Sequence, residues 1–238
     1  MANSHIACSW ALPITIAKGE GCFLFDEQGK RYIDFAGGWC VGTHGWGNKE
    51  VAEAVIEEAK HALYVPPTLQ WKKWDLLADL LVKHAPGGKL TRVYRCCSGS
   101  EAVEFAIKCA RAATGKNVIV SVDGVYHGHT YGAASVGNAI VGRHMGSGIP
   151  DCKKIPLPRS PERAAEGLKL LEEYLKQGDV AAFLSEPIFS NAGVFIPPAD
   201  FYPRVQELCQ KYGALLAMDE VATGFGRCGK PFASNFGG

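Results

Sequence analysis

The chain has 238 residues, 25 Lys+Arg against 24 Asp+Glu for a formal net charge of +1, 47% hydrophobic residues, 28 Gly and 13 Pro. This is the composition of an ordinary globular chain, and it excludes a disordered tail, a collagen-like repeat and a coiled coil. Near-neutral charge without a Lys/Arg cluster speaks against a nucleic-acid binder, whose affinity rests on phosphate neutralisation. No apolar run approaches the roughly 20 residues of a spanning helix, so no membrane association is expected. Met1 to Cys8 shows no basic segment followed by an apolar one, and no signal peptide is read there. Nine scattered cysteines, with no Cys-x-x-Cys pair, read as reduced small hydrophobes, neither a disulfide frame nor a zinc site. A cytoplasmic protein is expected.

Cys22 to Phe25 and Arg31 to Ile33 read as two short strands around a turn that contains Gly29. A glycine-rich stretch follows (Gly37, Gly38, Gly42, Gly45, Gly47). Asn48 can then cap a helix through Leu63, with Val51, Val55, Ile56 and Ala59 at helical spacing. Pro66-Pro67 ends it. A second amphipathic helix carries Trp71, Trp74, Leu77, Leu80 and Leu81 and is closed by Pro86-Gly87-Gly88. From there strands alternate with helices: strand Arg92 to Cys96, helix Glu101 to Ala113, strand Val118 to Val122, helix Arg163 to Lys176, strand Val180 to Leu184, helix Phe201 to Tyr212, strand Leu215 to Met218. Such alternation implies a parallel sheet covered on both faces. Ligands of these sheets sit beyond the carboxyl ends of the strands, so the residues just after each strand carry the functional expectation.

Ser98-Gly99-Ser100-Glu101 stands between a strand and a helix, where glycine allows close approach and free amides meet hydroxyls. It reads as a phosphate site or as a plain N-cap with an acidic first turn. Tyr126-His127-Gly128-His129 offers a stacking platform or a polar loop. A metal pair is the weaker reading, because no carboxylate or cysteine stands at metal spacing. Glu186-Pro187 ends a strand, and its carboxylate alone says little. Asp219 ends the apolar run Ala214 to Met218; it either caps a turn or meets a buried cation such as a protonated pyridine nitrogen. Gly224 to Pro231 imitates both the dinucleotide and the P-loop patterns. Pro231 stands where the P-loop needs Ser or Thr and where a dinucleotide motif needs a helix, and both readings fail.

In this order the motifs resemble the class III (ornithine/ω-amino acid type) aminotransferases that depend on pyridoxal 5′-phosphate, from about Gly21 onward. The most specific stretch is Leu216 to Arg227 (Leu-Ala-Met-Asp-Glu-Val-Ala-Thr-Gly-Phe-Gly-Arg), supported by Cys97 to Ala102, Tyr126-His127-Gly128, Ser185-Glu186-Pro187 and Gly29 to Phe35. The resemblance implies a fold-type I α/β enzyme: a mostly parallel sheet with helices on both faces, plus part of a small α+β domain. Residues 1–62 would be the N-terminal part of the small domain with a connecting helix, and 63–238 the large cofactor-binding domain. It further implies that Gly99 and Ser100 hold the cofactor phosphate, that Tyr126 stacks on the pyridine ring with His127 beside it, and that Val221 packs on the opposite face. Asp219 would pair with the ring nitrogen and Glu186 would help to orient the cofactor.

The implied reaction moves an amino group from an amino acid or ω-amino donor to a 2-oxo acid, in a homodimer and without a metal. The alternatives are an aminomutase of the glutamate-semialdehyde type, whose relatives depart from Thr223 to Arg227, and a non-catalytic protein of the same fold. Where the family shows Gly-His-x-x-Pro, this sequence reads Gly42-Thr43-His44-Gly45-Trp46-Gly47-Asn48. Trp39-Cys40 falls where relatives line the substrate pocket; Trp39 is either an aromatic wall for an apolar amine or simply core. The Schiff-base lysine of the family would fall beyond Gly238, so the chain reads as an N-terminal fragment.

Overall fold

The computed structural model describes residues 12–61, 63–137 and 148–236. The elements are β1 (Ile16–Glu20), β2 (Phe23–Asp26), β3 (Arg31–Ile33), a helical turn α1 (Gly37–Cys40), α2 (Lys49–His61), α3 (Lys72–His84), α4 (Gly99–Thr114), β4 (Val118–Val122), α5 (Tyr131–Val136), β5 (Cys152–Ile155), α6 (Pro161–Leu175), β6 (Val180–Ser185), α7 (Phe201–Tyr212) and β7 (Leu215–Met218). Two compact units result, Met1–Asp75 and Leu76–Gly238. The break falls inside α3.

In the N-terminal unit β1, β2 and β3 form an antiparallel meander, with Leu24 opposite both Gly19 and Tyr32. The β2–β3 turn is organised by one carboxylate. Asp26 accepts the N–H groups of Gln28 (3.0 Å) and Lys30 (2.8 Å) and the Tyr32 hydroxyl (2.9 Å). Gly29, at φ +78°, supplies the left-handed residue that this turn requires. Asp34 does the same for the glycine-rich stretch, accepting the N–H of Ala36 and Gly37 and the indole N–H of Trp46 at 2.7 Å. The glycines are needed because Trp46 lies against the backbone: a Cβ on Gly19 or Gly38 would come within 2.6 or 2.7 Å of it. Helices α2 and α3 follow the periodicity read from the sequence, yet neither contains a buried residue.

The C-terminal unit is a parallel sheet in the order β5-β4-β6-β7. Every residue of β4 and β6 is buried, as apolar runs covered on both faces must be. On one face Val118, Val120, Val122, Val180 and Phe183 pack with Leu168, Leu171 and Leu175 of α6 and with Phe201 and Val205 of α7. On the other, Ile119 and Leu184 pack with Val103 and Ile107 of α4 and with Ala133 and Val136 of α5. Burying each large apolar side chain contributes about 1.5–3 kcal/mol.

One expected strand is absent. Arg92 to Cys96 joins no ladder, and Tyr94 instead stacks on Phe105 of α4 with ring centroids 3.6 Å apart. A strand exists only through a partner's hydrogen bonds, and among the described residues β7, at the edge of the sheet, pairs with β6 alone. Conversely, β1, β5 and α5 had no strong sequence signal. β5 is an edge strand of sequence Cys-Lys-Lys-Ile. Its Lys154, in register with Ser121 on the neighbouring β4, donates to Ser121 Oγ (2.7 Å) and to the carbonyls of Val136 and Gly137, which satisfies the C-terminus of α5.

Candidate functional site

All site residues expected from the sequence, apart from the substrate-side Trp39, lie in the C-terminal unit, at strand ends or at the start of α4. Ser98 is the N-cap of α4: its Oγ accepts the N–H of Glu101 at 3.2 Å, and the Glu101 carboxylate reaches back to the N–H of Cys97. This is a variant of the capping box. It leaves Gly99 and Ser100 in the first turn of a 16-residue helix, where free N–H groups and the helix dipole favour an anion.

Helix α4 also grips the loop after β4. Ser100 Oγ accepts the N–H of His129 at 3.1 Å. One turn on, Glu104 Oε1 accepts the N–H groups of Gly132 (2.7 Å) and Ala133 (3.2 Å), the second and third residues of α5. Two glycines make this approach possible. A Cβ on Gly128 would fall 2.4 Å from Ser100 Oγ, and one on Gly132 would fall 2.3 Å from Glu104 Oε2. The i, i+4 pair Ser100 and Glu104 thus fixes the segment that carries Tyr126 and His127. Tyr126 is half-buried and meets His129 edge-on, with centroids 5.2 Å apart. Burial pushes its phenol up, so it stays a neutral aromatic face.

The carboxyl ends of β6 and β7 are registered to each other, and the N–H of Asp219 continues the ladder to the Ser185 carbonyl at 2.7 Å. Asp219 therefore stands beside the strand end that carries Glu186. Its Oδ1 accepts the N–H of Val221 (3.1 Å), and its Oδ2 meets His127 Nδ1 at 2.8 Å. The imidazole is fully buried and the Asp219 side chain is 11% exposed, so this pair is shielded from solvent screening. Glu186 is 2% exposed. One of its oxygens, Oε2, accepts both the N–H and the hydroxyl of Ser190. Burial pushes its carboxyl up; Ser190 and His127 oppose that, and Asp219 adds to it. Val221, exposed, closes the circuit: a Cβ on Gly99 would sit 3.6 Å from its Cγ2, which puts Val221 over the start of α4.

The structure thus brings Gly99 and Ser100 into contact with Gly128, His129 and Val221, and joins His127 to Asp219. This donor set fits a phosphate-bearing flat cation: an anion cup, an aromatic ring, a branched aliphatic side chain and a buried carboxylate. No local pattern in the sequence singles out Glu104 or Ser190. The first was legible only as one turn past Ser100. Glu220 accepts from Thr223, Ala233 and Ser234 and so pins the glycine-rich turn after Asp219, which opens no helix at Gly224 to Pro231. Among the described residues, no group of three or more His, Cys, Asp or Glu is placed to hold a metal ion.

Comparison with known proteins gives the same picture. Residues 7–238 match the family model for class-III aminotransferases. The chain is 35% identical over 231 residues to the acetylornithine aminotransferase of Methanopyrus kandleri, an alignment covering 96% of this chain and 57% of that protein. It is 33% identical over 219 residues to glutamate-1-semialdehyde 2,1-aminomutase 2 of Lachnoclostridium phytofermentans, covering 90% of this chain and 50% of the other. Among solved structures, taurine:2-oxoglutarate aminotransferase of Bifidobacterium kashiwanohense, in complex with PLP and glutamate, superposes with a TM-score of 0.89 at 31% identity, covering 96% of this chain and 56% of that one. The chain spans only a little over half the length of such relatives. On the match of its motifs, its sheet and its family model, it belongs to the class-III aminotransferases.

Proposed function

We propose that this chain forms the cofactor-binding part of a pyridoxal 5′-phosphate-dependent aminotransferase that moves an amino group from an amino acid or ω-amino compound to a 2-oxo acid. The observation that carries the proposal is Asp219, a carboxylate at the end of β7, backed at 2.8 Å by a fully buried imidazole and adjoining the start of α4 through Val221. Gly99 and Ser100 hold the phosphate with backbone N–H groups and a hydroxyl. Tyr126 and Val221 grip the ring, and Asp219 keeps its nitrogen protonated, with Glu186 and His127 behind it. When bound, the cofactor supplies an electron-withdrawing ring that takes up the electron pair released at the amino carbon. The chain's own part is to bind and orient it, and to hold one proton at the ring nitrogen.

The complete enzyme is proposed to be a cytoplasmic homodimer. The apolar stripes of α2 support a partner: Val51, Val55 and Ile56 are each at least half exposed. Among the described residues, no helix is long and apolar enough to cross a membrane.

The assignment of Asp219 is tested on the 238-residue chain with ring-¹⁵N-labelled pyridoxal 5′-phosphate. Bound to the wild type, the ring nitrogen should be protonated; bound to Asp219→Asn, it should lose that proton. An identical nitrogen shift in the two complexes would overturn the role of Asp219.

A further inference from the structure

Helix α5 has six residues, too few to hold its shape alone, yet it closes the loop that carries Tyr126 and His127. Its start is held by Glu104, from the helix that forms the cup. Its end is held from elsewhere. Lys154, on the edge strand β5, spends all three N–H donors of its ammonium on Ser121 Oγ (2.7 Å) and on the carbonyls of Val136 and Gly137. The Ser121 hydroxyl donates in turn to the Val136 carbonyl at 2.5 Å, and Ser121 and Val136 are both fully buried. Burial lowers the Lys154 ammonium to about 8, with Cys152 and Asp123 opposing that, so at pH 7 it is charged and keeps its full set of donors. Lys153, its neighbour in the strand, takes its amine to Gln177 (2.5 Å) and Asp179 (3.9 Å) instead.

Gly137 links this clamp to the cup. A Cβ on Gly137 would stand 3.2 Å from the His127 backbone nitrogen and 3.4 Å from the Val125 carbonyl oxygen, so the end of α5 lies against the chain on both sides of Tyr126. The His127 ring in turn meets Asp219 Oδ2 at 2.8 Å. That imidazole is fully buried, so a small displacement of its backbone alters a contact that solvent does not cushion. We propose that Lys154 is a positioning residue of the cofactor site: by drawing the carbonyl end of α5 onto β4, it presses Gly137 against the His127 backbone and so sets the imidazole on Asp219. Its hydrogen bonds reach none of the cup residues; it acts through Gly137 and His127. The consequence for cofactor affinity rests on the proposed pairing of Asp219 with the ring nitrogen.

The test combines ¹⁵N NMR of the histidine rings with amide hydrogen exchange, on the full chain at pH 7 without cofactor; His127 is assigned from the spectrum of His127→Gln. Lys154→Met keeps the aliphatic stem and removes the donors. It should shift the His127 Nδ1 signal and speed exchange at the Ala134 and Gly137 amides about tenfold or more, with β4 and β6 unchanged. Lys153→Met should do neither. A Lys154 that only stabilises the sheet would lower the unfolding midpoint of Lys154→Met and leave the His127 signal in place, which would overturn the proposal. Lys154→Gln, shorter and with two donors in place of three, keeps the idea falsifiable should Lys154→Met not fold. It should move both signals in the same direction, and wild-type values for both would overturn the role. Titration with pyridoxal 5′-phosphate then separates the two readings. Lys154→Met, or Lys154→Gln in its place, should bind about tenfold more weakly than the wild type, and equal affinity would overturn the positioning role. A wild type that binds while His127 ignores Lys154 sinks that role alone. A His127 that responds to Lys154 in a chain that binds no cofactor sinks the cofactor assignment alone.

Discussion

The two units of this chain are held together by different physics. In the C-terminal unit two strands are buried along their whole length between helices. In the N-terminal unit the single buried residue among those described is Asp26, a charged one. There the organising groups are carboxylates, Asp26 and Asp34, each collecting backbone and side-chain donors around a tight turn. The apolar residues of α2 recur at helical spacing as they do in α4 or α6, yet they remain uncovered. An amphipathic pattern therefore states a demand for a partner surface; it does not say whether that surface is in the same unit.

The largest expected effects separate the units by core mutation. Phe183 is fully buried between β4, α6 and α7. Phe183→Ala should cost about 3–5 kcal/mol in denaturant unfolding of the C-terminal unit. Ile56 is 59% exposed. Ile56→Ala should change the stability of the 238-residue chain by no more than about 0.5 kcal/mol. Equal losses would mean that α2 is packed after all.

Acid should act on the two units in opposite directions. In the folded chain Asp34 is held below its usual carboxylate value, mainly by the Trp46 indole N–H and then by backbone N–H groups. Its contribution is present above its unfolded value of 3.8 and is lost as pH falls through the folded value. Trp46 fluorescence should report loosening there, and Asp34→Asn should abolish that acid transition. Glu186 has the opposite sign. Its folded value is raised by burial, so the folded state binds the extra proton, and stability falls as pH rises from 4.5 through the raised value. The difference in stability between wild type and Glu186→Gln should therefore widen in favour of the variant across that window. A flat difference would contradict the upward shift of the Glu186 carboxyl. Smallest of all, Lys211→Ala removes an exposed pair with Glu172 and should leave the melting temperature unchanged within error.

β4, α7 and β7 were legible to the residue, because apolar runs and helical periodicity between turn residues carry tertiary burial directly. Asp219, Glu186 and the Ser98-to-Ser100 turn were legible as strand-end and helix-start chemistry. Arg92 to Cys96 was misread, because a run with strand character does not reveal whether a partner strand is at hand. β5 went unseen, because the second lysine of Cys-Lys-Lys-Ile is spent on Ser121 and the α5 carbonyls and not on solvent. Ser190 and Glu104 serve the site through contacts that no local spacing reveals.

The central claim is that α4 and the loop after β4 form a cofactor cup within the C-terminal unit. Titration of the 238-residue chain with pyridoxal 5′-phosphate, followed by absorbance and protein fluorescence, tests it most directly. The wild type should bind saturably. Ser100→Ala removes a hydroxyl donor from the anion cup and should weaken binding about tenfold, the effect of about 1–2 kcal/mol. Gly128→Ala, which drives a methyl into Ser100, should weaken it further. Trp39→Ala, in the N-terminal unit, should leave it unchanged. Saturable binding that ignores Ser100 and Gly128, or no saturable binding at all, would contradict the account.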